Sequence, residues 1–154
     1  NPAGAPNQVL GVFSKDWVEP LAQVLKQLGS EHVLVVHAED GLDEISIGAV
    51  THVAELKDGE VTTYTVKPED FGMQRAELAA LRAEDAEDSL RIIRAVLANE
   101  EGPAKDIVCL NAGAAIYAAG RAGSFAEGVG LAQQVIASGE AADKLEQLVK
   151  LSNA

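Results

Sequence analysis

The sequence predicts an α/β fold: a strand, a helix and a second strand, then a hairpin, then helices to the end. Three observations carry it. Two short β-forming runs, residues 8–13 and 32–37, bracket a stretch with helical apolar spacing. Asp58-Gly59 parts two further β-rich runs. Beyond Gly72 the apolar period turns helical and stays so.

The first run carries Val9, Val12 and Phe13, and Ser14 and Asp16 after it are candidate helix caps. Trp17, Leu21, Val24, Leu25 and Leu28 then recur at helical spacing. Asp16 and Glu19 stand three apart as in a capping box, and Gly29 is a natural stop. With Asp16 as the cap, Pro20 costs at most one early helical hydrogen bond. Val33-Leu34-Val35-Val36 suits a strand covered on both faces. Strand, helix and strand in that order make a βαβ unit with parallel strands.

Residues 50–56 and 60–66 flank Lys57-Asp58-Gly59, where the Asp-Gly pair marks a hairpin. Farther on, Ala86, Leu90, Ile93 and Leu97 define one helix, and Gly102-Pro103 opens another with proline in its first position. Ile107, Leu110, Ala114 and Tyr117 form the apolar face of that helix, and Gly113 permits close approach of a neighbour. Ser124 and Glu127 cap a helix through Val129, Ala132 and Ile136, which stops near Gly139. Leu145, Leu148 and Val149 carry a last helix, and the four are expected to pack back on the sheet.

A chain of 154 residues suffices for one domain with a core, and 47% apolar with 23% charged residues excludes a disordered composition. The net charge of −12, with Lys and Arg scattered singly, argues against nucleic acid and anionic membrane as partners. No apolar run approaches the ~20 residues of a membrane helix. Cys109 is the one cysteine, set among Ile107, Val108 and Leu110, which reads as a core thiol in a reducing cytoplasm. The opening Asn1-Pro2-Ala3-Gly4-Ala5-Pro6 reads as a turn inside a longer protein.

Asp40-Gly41-Leu42-Asp43-Glu44 is the best candidate for chemistry. The acids follow a buried strand, at the end of an α/β sheet where ligands bind. Hard cations such as Mg²⁺ take carboxylate oxygens together with substrate phosphates. From the residues alone two readings stand, solvated turn acids in an acidic protein and a cation site. His32 and His37 are an odd number apart on one strand, so they face opposite sides, and His52 lies on the hairpin; structural roles are expected for all three. Gly120-Arg121-Ala122-Gly123 precedes a helix, yet the cap at Ser124 accounts for it. No Walker loop, dinucleotide fingerprint or Ser/His/Asp constellation is present.

Taken in order, several segments resemble the anthranilate phosphoribosyltransferase family. They are Asn1-Pro2-Ala3-Gly4-Ala5, Gln8-Val9-Leu10-Gly11-Val12, Leu28-Gly29-Ser30, Asp40-Gly41-Leu42-Asp43-Glu44-Ile45-Ser46, Glu69-Asp70-Phe71-Gly72 and Asn99-Glu100-Glu101-Gly102-Pro103. The Asp43-Glu44 segment is the most specific of them. The resemblance implies a nucleoside phosphorylase/phosphoribosyltransferase-type α/β domain, of which residues 1–154 are the C-terminal portion. A helical N-terminal domain and the first part of the α/β domain would precede it. It implies transfer of phosphoribosyl from phosphoribosyl diphosphate to anthranilate in tryptophan biosynthesis, by a cytoplasmic homodimer when full length.

The same resemblance implies Mg²⁺ as cofactor, with Asp43 and Glu44 as its ligands, and no catalytic residue of its own in this segment. The family's glycine-rich diphosphate loop and its ribose and anthranilate contacts lie upstream, so the segment alone is expected to be inactive. Two departures stand out: Ala38 replaces an expected glycine, and Gly48 comes one position earlier than usual. The competing readings are a pyrimidine-nucleoside phosphorylase, a non-catalytic relative that binds nucleic acid, and a bare scaffold fragment. The intact acid segment disfavours the first, and the charge disfavours the second.

Overall fold

The computed structural model describes residues 4–153 and contains a four-stranded mixed sheet between one helix on one face and a helical layer on the other. Strands β1 (Asn7–Gly11), β2 (His32–Ala38), β3 (Thr51–Lys57) and β4 (Glu60–Val66) lie in sequence order. β1 and β2 are parallel, and the other two pairs are antiparallel. Helix α1 (Val18–Gln27) makes the crossover between the parallel strands. The turn expected at Asn1-Pro2-Ala3 lies outside the described residues.

Pleating sorts β2 into two cores. Leu34 and Val36 join Val53, Val66, Leu110 and Ala114 on one face, while Val33 and Val35 join Ala54, Leu56, Val18 and Ala22 on the other. Because helices cover both faces, β2 reads as an unbroken apolar run rather than an alternating one. The hairpin turns on Asp58 and Gly59, both with positive φ (52° and 78°), the conformation whose twist matches that of the flanking strands.

The start of α1 differs from expectation. Ser14 Oγ accepts from the Asp16 N–H at 3.3 Å and caps a single 3₁₀ turn, Lys15–Trp17. The α-helix begins only at Val18, so the Asp16–Glu19 capping box does not form. Trp17 therefore lies outside the helix, whose inward stripe is Val18 and Ala22 with partly buried Leu21 and Leu25, and Trp17, Val24 and Leu28 are exposed. Pro20 falls in the first turn, where its missing N–H would have no helical acceptor anyway.

The C-terminal half comprises α2 (Ala86–Leu97), α3 (Pro103–Ala118), α4 (Phe125–Ala137) and α5 (Glu140–Ser152). Of these, α3 alone makes substantial contact with the sheet, against β1 and β2, and α4 packs on α3. The expectation that all four reach the sheet is therefore corrected: α3 occupies that face, and the others stack outside it. The inward face of α2 is centred on Val96, while Leu90 and Ile93 are exposed. α5 buries no residue fully, and Leu148 and Val149 remain exposed. No helix among the described residues is long and apolar enough to cross a membrane.

Candidate functional site

The acid segment lies in the connection from β2 to β3, at the carboxyl end of the parallel pair. The connection is built from its own backbone first. Ala38 N–H donates to Leu42 O at 2.9 Å, Gly41 N–H to Ala38 O at 3.0 Å, and Glu39 N–H to Val50 O at 2.9 Å. Gly41 takes φ +94°, a conformation that glycine adopts without steric cost.

Ile45, Ser46 and Ile47 are buried and anchor the second half of the loop. Ser46 Oγ donates to Asp40 Oδ2 and itself accepts from the N–H groups of Gly48 and Ala49. Ser46 N–H reaches Thr51 Oγ1 at 3.0 Å. Asn111 of α3 closes on Ile45 from the other side: its Oδ1 accepts from Ile45 N–H at 3.0 Å, and its Nδ2 donates to Ile45 O at 2.9 Å. Gly11, the last residue of β1, lies against the Asp43 carbonyl.

This construction divides the acids into two kinds. The Asp40 carboxylate is bound to the loop through Ser46, and Glu39 pairs with His52 Nε2 at 3.1 Å. Asp43 and Glu44 are exposed, and neither side chain makes a hydrogen bond or ion pair among the described residues. Two adjacent carboxylates on an anchored backbone offer hard oxygen donors to solvent. Among the described residues no group of three or more His, Cys, Asp or Glu side chains could hold a metal. Such a pair does not complete a calcium or zinc shell, but it fits Mg²⁺, which keeps waters and shares its shell with phosphate oxygens.

The other candidates from the sequence are accounted for locally. His37 Nδ1–H donates to Val12 O at 2.8 Å on the α1 side of the sheet. His32 points to the opposite face, where its Nε2 meets Glu55 Oε1 at 2.9 Å and its ring stands edge-on to Tyr117. Tyr64 donates to the second Glu55 oxygen, and Lys57 Nζ donates to Tyr117 OH, so these five side chains form one network far along the sheet from the acid pair. Cys109 is fully buried, and burial pushes its thiol upward, with Lys105 opposing. At the glycine-rich turn, Ser124 Oγ accepts from Glu127 N–H and Glu127 Oε2 accepts from Gly123 N–H, which occupies two of the donors a phosphate would use and sets a carboxylate beside them.

Gly11 and Asn111 were not legible as site residues. Their signals are weak but real: a glycine inside a β-forming run marks close backbone approach, and a polar amide mid-helix marks a bond made elsewhere.

A mixed sheet with one helix on one face and a helical layer on the other agrees with what comparison finds. Residues 1–142 match the model described as Glycosyl transferase family, a/b domain, and the chain belongs to that family. Within it, the chain is similar to anthranilate phosphoribosyltransferases. It is 66% identical over 152 residues to that of Thioalkalivibrio sulfidiphilus, covering 99% of this chain and 45% of the relative. The crystal structure of anthranilate phosphoribosyltransferase (TrpD) from Thermus thermophilus superposes with a TM-score of 0.89 at 45% identity, over 100% of this chain and 45% of that one. The Saccharomyces cerevisiae enzyme in complex with PRPP and Mg superposes with a TM-score of 0.79 at 27% identity, over 91% and 41%. The chain thus spans just under half the length of the curated relatives it matches.

Proposed function

We propose that this chain is the C-terminal portion of the catalytic α/β domain of a cytoplasmic, homodimeric anthranilate phosphoribosyltransferase of tryptophan biosynthesis. In that reading Asp43 and Glu44 bind the Mg²⁺ that accompanies the diphosphate of PRPP. The observation that carries it is the state of the pair: adjacent, exposed and unpartnered among the described residues, on a loop whose other acids are held locally, Asp40 by Ser46 and Glu39 by His52. The yeast relative in complex with PRPP and Mg supports it.

The reaction breaks the bond from the ribose anomeric carbon to diphosphate and forms one to the anthranilate nitrogen, which gives up a proton. Mg²⁺, when bound, offsets the negative charge that grows on the departing oxygens. The part this chain plays is narrower. Asp43 and Glu44 supply two anionic oxygens at a fixed place, and the loop beneath them keeps the pair from collapsing onto nearby donors. Carboxylate and diphosphate oxygens repel one another, and a cation held between them would offset that repulsion. Residues that orient ribose and anthranilate belong to the portion preceding this one, and orientation supplies much of the barrier reduction in a two-substrate transfer.

The test is the double replacement Asp43→Asn, Glu44→Gln in a full-length enzyme carrying this segment. Turnover should fall and the magnesium requirement should rise, with the KM for anthranilate little changed. Normal turnover with an unchanged magnesium response would reassign the pair to solvated turn acids. The isolated 154-residue chain should show no phosphoribosyl transfer.

A further inference from the structure

We infer that Asn111 is a positioning residue for the acid pair, acting through Ile45, 66 residues away in sequence. The inference rests on the proposed metal role of Asp43 and Glu44 and adds to it the device that keeps the two carboxylates in place.

The Asn111 amide holds both polar groups of the Ile45 backbone at once, accepting at 3.0 Å and donating at 2.9 Å, as a neighbouring strand would. Its second Nδ2 hydrogen goes to Ile107 O in its own helix at 3.0 Å, which ties the amide to α3. The amide's orientation is fixed by this pattern, because turning it over would set a donor against Ile45 N–H and an acceptor against Ile45 O. Ile45 is also pinned by its side chain, which is 1% exposed in the core with Leu34, Val36 and Leu110. Glu44 is the residue immediately before this doubly held position, and Asp43 precedes it.

The amide's cost to the helix points the same way. Asparagine is a poor residue mid-helix, where its side chain competes for backbone partners. Here it stands one helical turn from Ile107 and from Ala114, on a stripe that those two give to packing. A loop free to sample several shapes would present the pair correctly only part of the time, and its apparent affinity for a cation would fall by that fraction. Fixing Ile45 removes that loss.

The experiment uses the full-length enzyme carrying this segment and Mn²⁺ as a paramagnetic probe, titrated in the presence of inorganic diphosphate and followed by the free-ion resonance. Asn111→Asp keeps shape but sets a carboxylate oxygen against Ile45 O, and Asn111→Ala removes the clamp while favouring the helix. Both should weaken diphosphate-supported Mn²⁺ binding about tenfold, the change in competent fraction that releasing the loop would cause. The KM for anthranilate should stay within about twofold, since the clamp touches only the metal loop. Ala118→Gly, on the same helix but away from the loop, serves as the stability control and should leave Mn²⁺ binding unchanged. Parent-like Mn²⁺ binding in both Asn111 variants, alongside lost binding in the Asp43→Asn, Glu44→Gln double variant, would overturn the clamp and leave the metal reading standing. Equal weakening in Ala118→Gly would also overturn it. Parent-like binding in the double variant would remove the metal reading, and the inference with it.

Discussion

Gly11 and Asp43 touch so closely that a β-carbon added to Gly11 would fall 1.5 Å from the Asp43 carbonyl oxygen and 2.6 Å from its carbonyl carbon. The end of β1 is therefore the floor on which the acid-bearing backbone rests. Flexible side-chain atoms could move aside; this backbone is tied at Leu42 and Ile45 on either side. Gly11→Ala should cost at least about 3 kcal/mol, the upper end of ordinary overpacking, because the overlap is with tied backbone. It should also raise the magnesium requirement of a full-length enzyme carrying this segment. Thermal unfolding together with a magnesium titration checks both, and a variant with parent-like values in each would show that β1 can withdraw without moving the loop.

Two glycines of the helical layer should respond to alanine with opposite signs. At Gly113 a β-carbon would stand 2.6 Å from the Val129 backbone, and at Gly128 it would stand 2.3 Å from Gly113 O, so α3 and α4 cross on bare backbone. Gly130, on α4, has nothing within 4 Å of the same position. Gly130→Ala should stabilise by up to ~1 kcal/mol through helix propensity alone. Gly113→Ala should destabilise despite the same propensity gain, because overpacking costs ~1–3 kcal/mol and exceeds it. Comparing the two unfolding midpoints in one buffer tests the crossing; a stabilised Gly113→Ala would mean the helices can separate freely.

The contrast shows what the amino-acid order can and cannot reveal. Local signals were legible: the Asp58-Gly59 turn, the proline at the start of α3, the Ser124 cap and the unbroken run of β2 each act within a few residues. The start of α1 was misplaced because Ser14 caps a 3₁₀ turn before the α-helix, and that choice depends on how the chain leaves β1. Helix faces misled in another way. Leu90 and Ile93 have the spacing of a buried stripe, yet α3 already fills the sheet and α2 turns Val96 inward instead. At the candidate site the acids themselves stood out, while Gly11 and Asn111 did not, since they reach the loop across 32 and 66 residues. Only the folded chain brings them there.

Cys109 should behave as an inert core thiol. It is completely buried between α3 and its neighbours, and desolvation holds the thiol above its ordinary range more strongly than Lys105 lowers it. The thiolate is the reactive form, so modification at neutral pH should wait for unfolding. An aromatic disulfide reagent should label the 154-residue chain slowly in buffer and at once in denaturant, its single cysteine forming a mixed disulfide and displacing one equivalent of aromatic thiolate from the reagent. Rapid stoichiometric labelling of folded protein would mean that α3 opens readily.

The last prediction concerns alkaline pH and the network at the far end of the sheet. The chain has two tyrosines, Tyr64 and Tyr117, and burial raises the ionisation of both above the ordinary value of 10.0; the Glu55 carboxylate, which Tyr64 OH meets at 2.9 Å, adds to the effect. Ionising either phenol would place a second negative charge beside Glu55 in a partly buried site, and for Tyr117 Lys57 opposes the rise without cancelling it. The sign follows from proton binding. Above pH 10 the unfolded chain releases tyrosine protons that the folded chain retains, so stability is complete below that pH and declines as the pH climbs past it. Titrating the 154-residue chain at 295 nm should therefore show little tyrosinate absorbance at pH 10, where free tyrosine is about half ionised. The rise should come later, together with loss of the far-ultraviolet circular dichroism signal. Tyr64→Phe removes one of the two groups and should make the decline in stability above pH 10 shallower, even if the variant starts from lower stability because Glu55 has lost a donor. Half-ionised tyrosine at pH 10 with the circular dichroism intact would show that the Glu55 network is open to water and does not hold these protons.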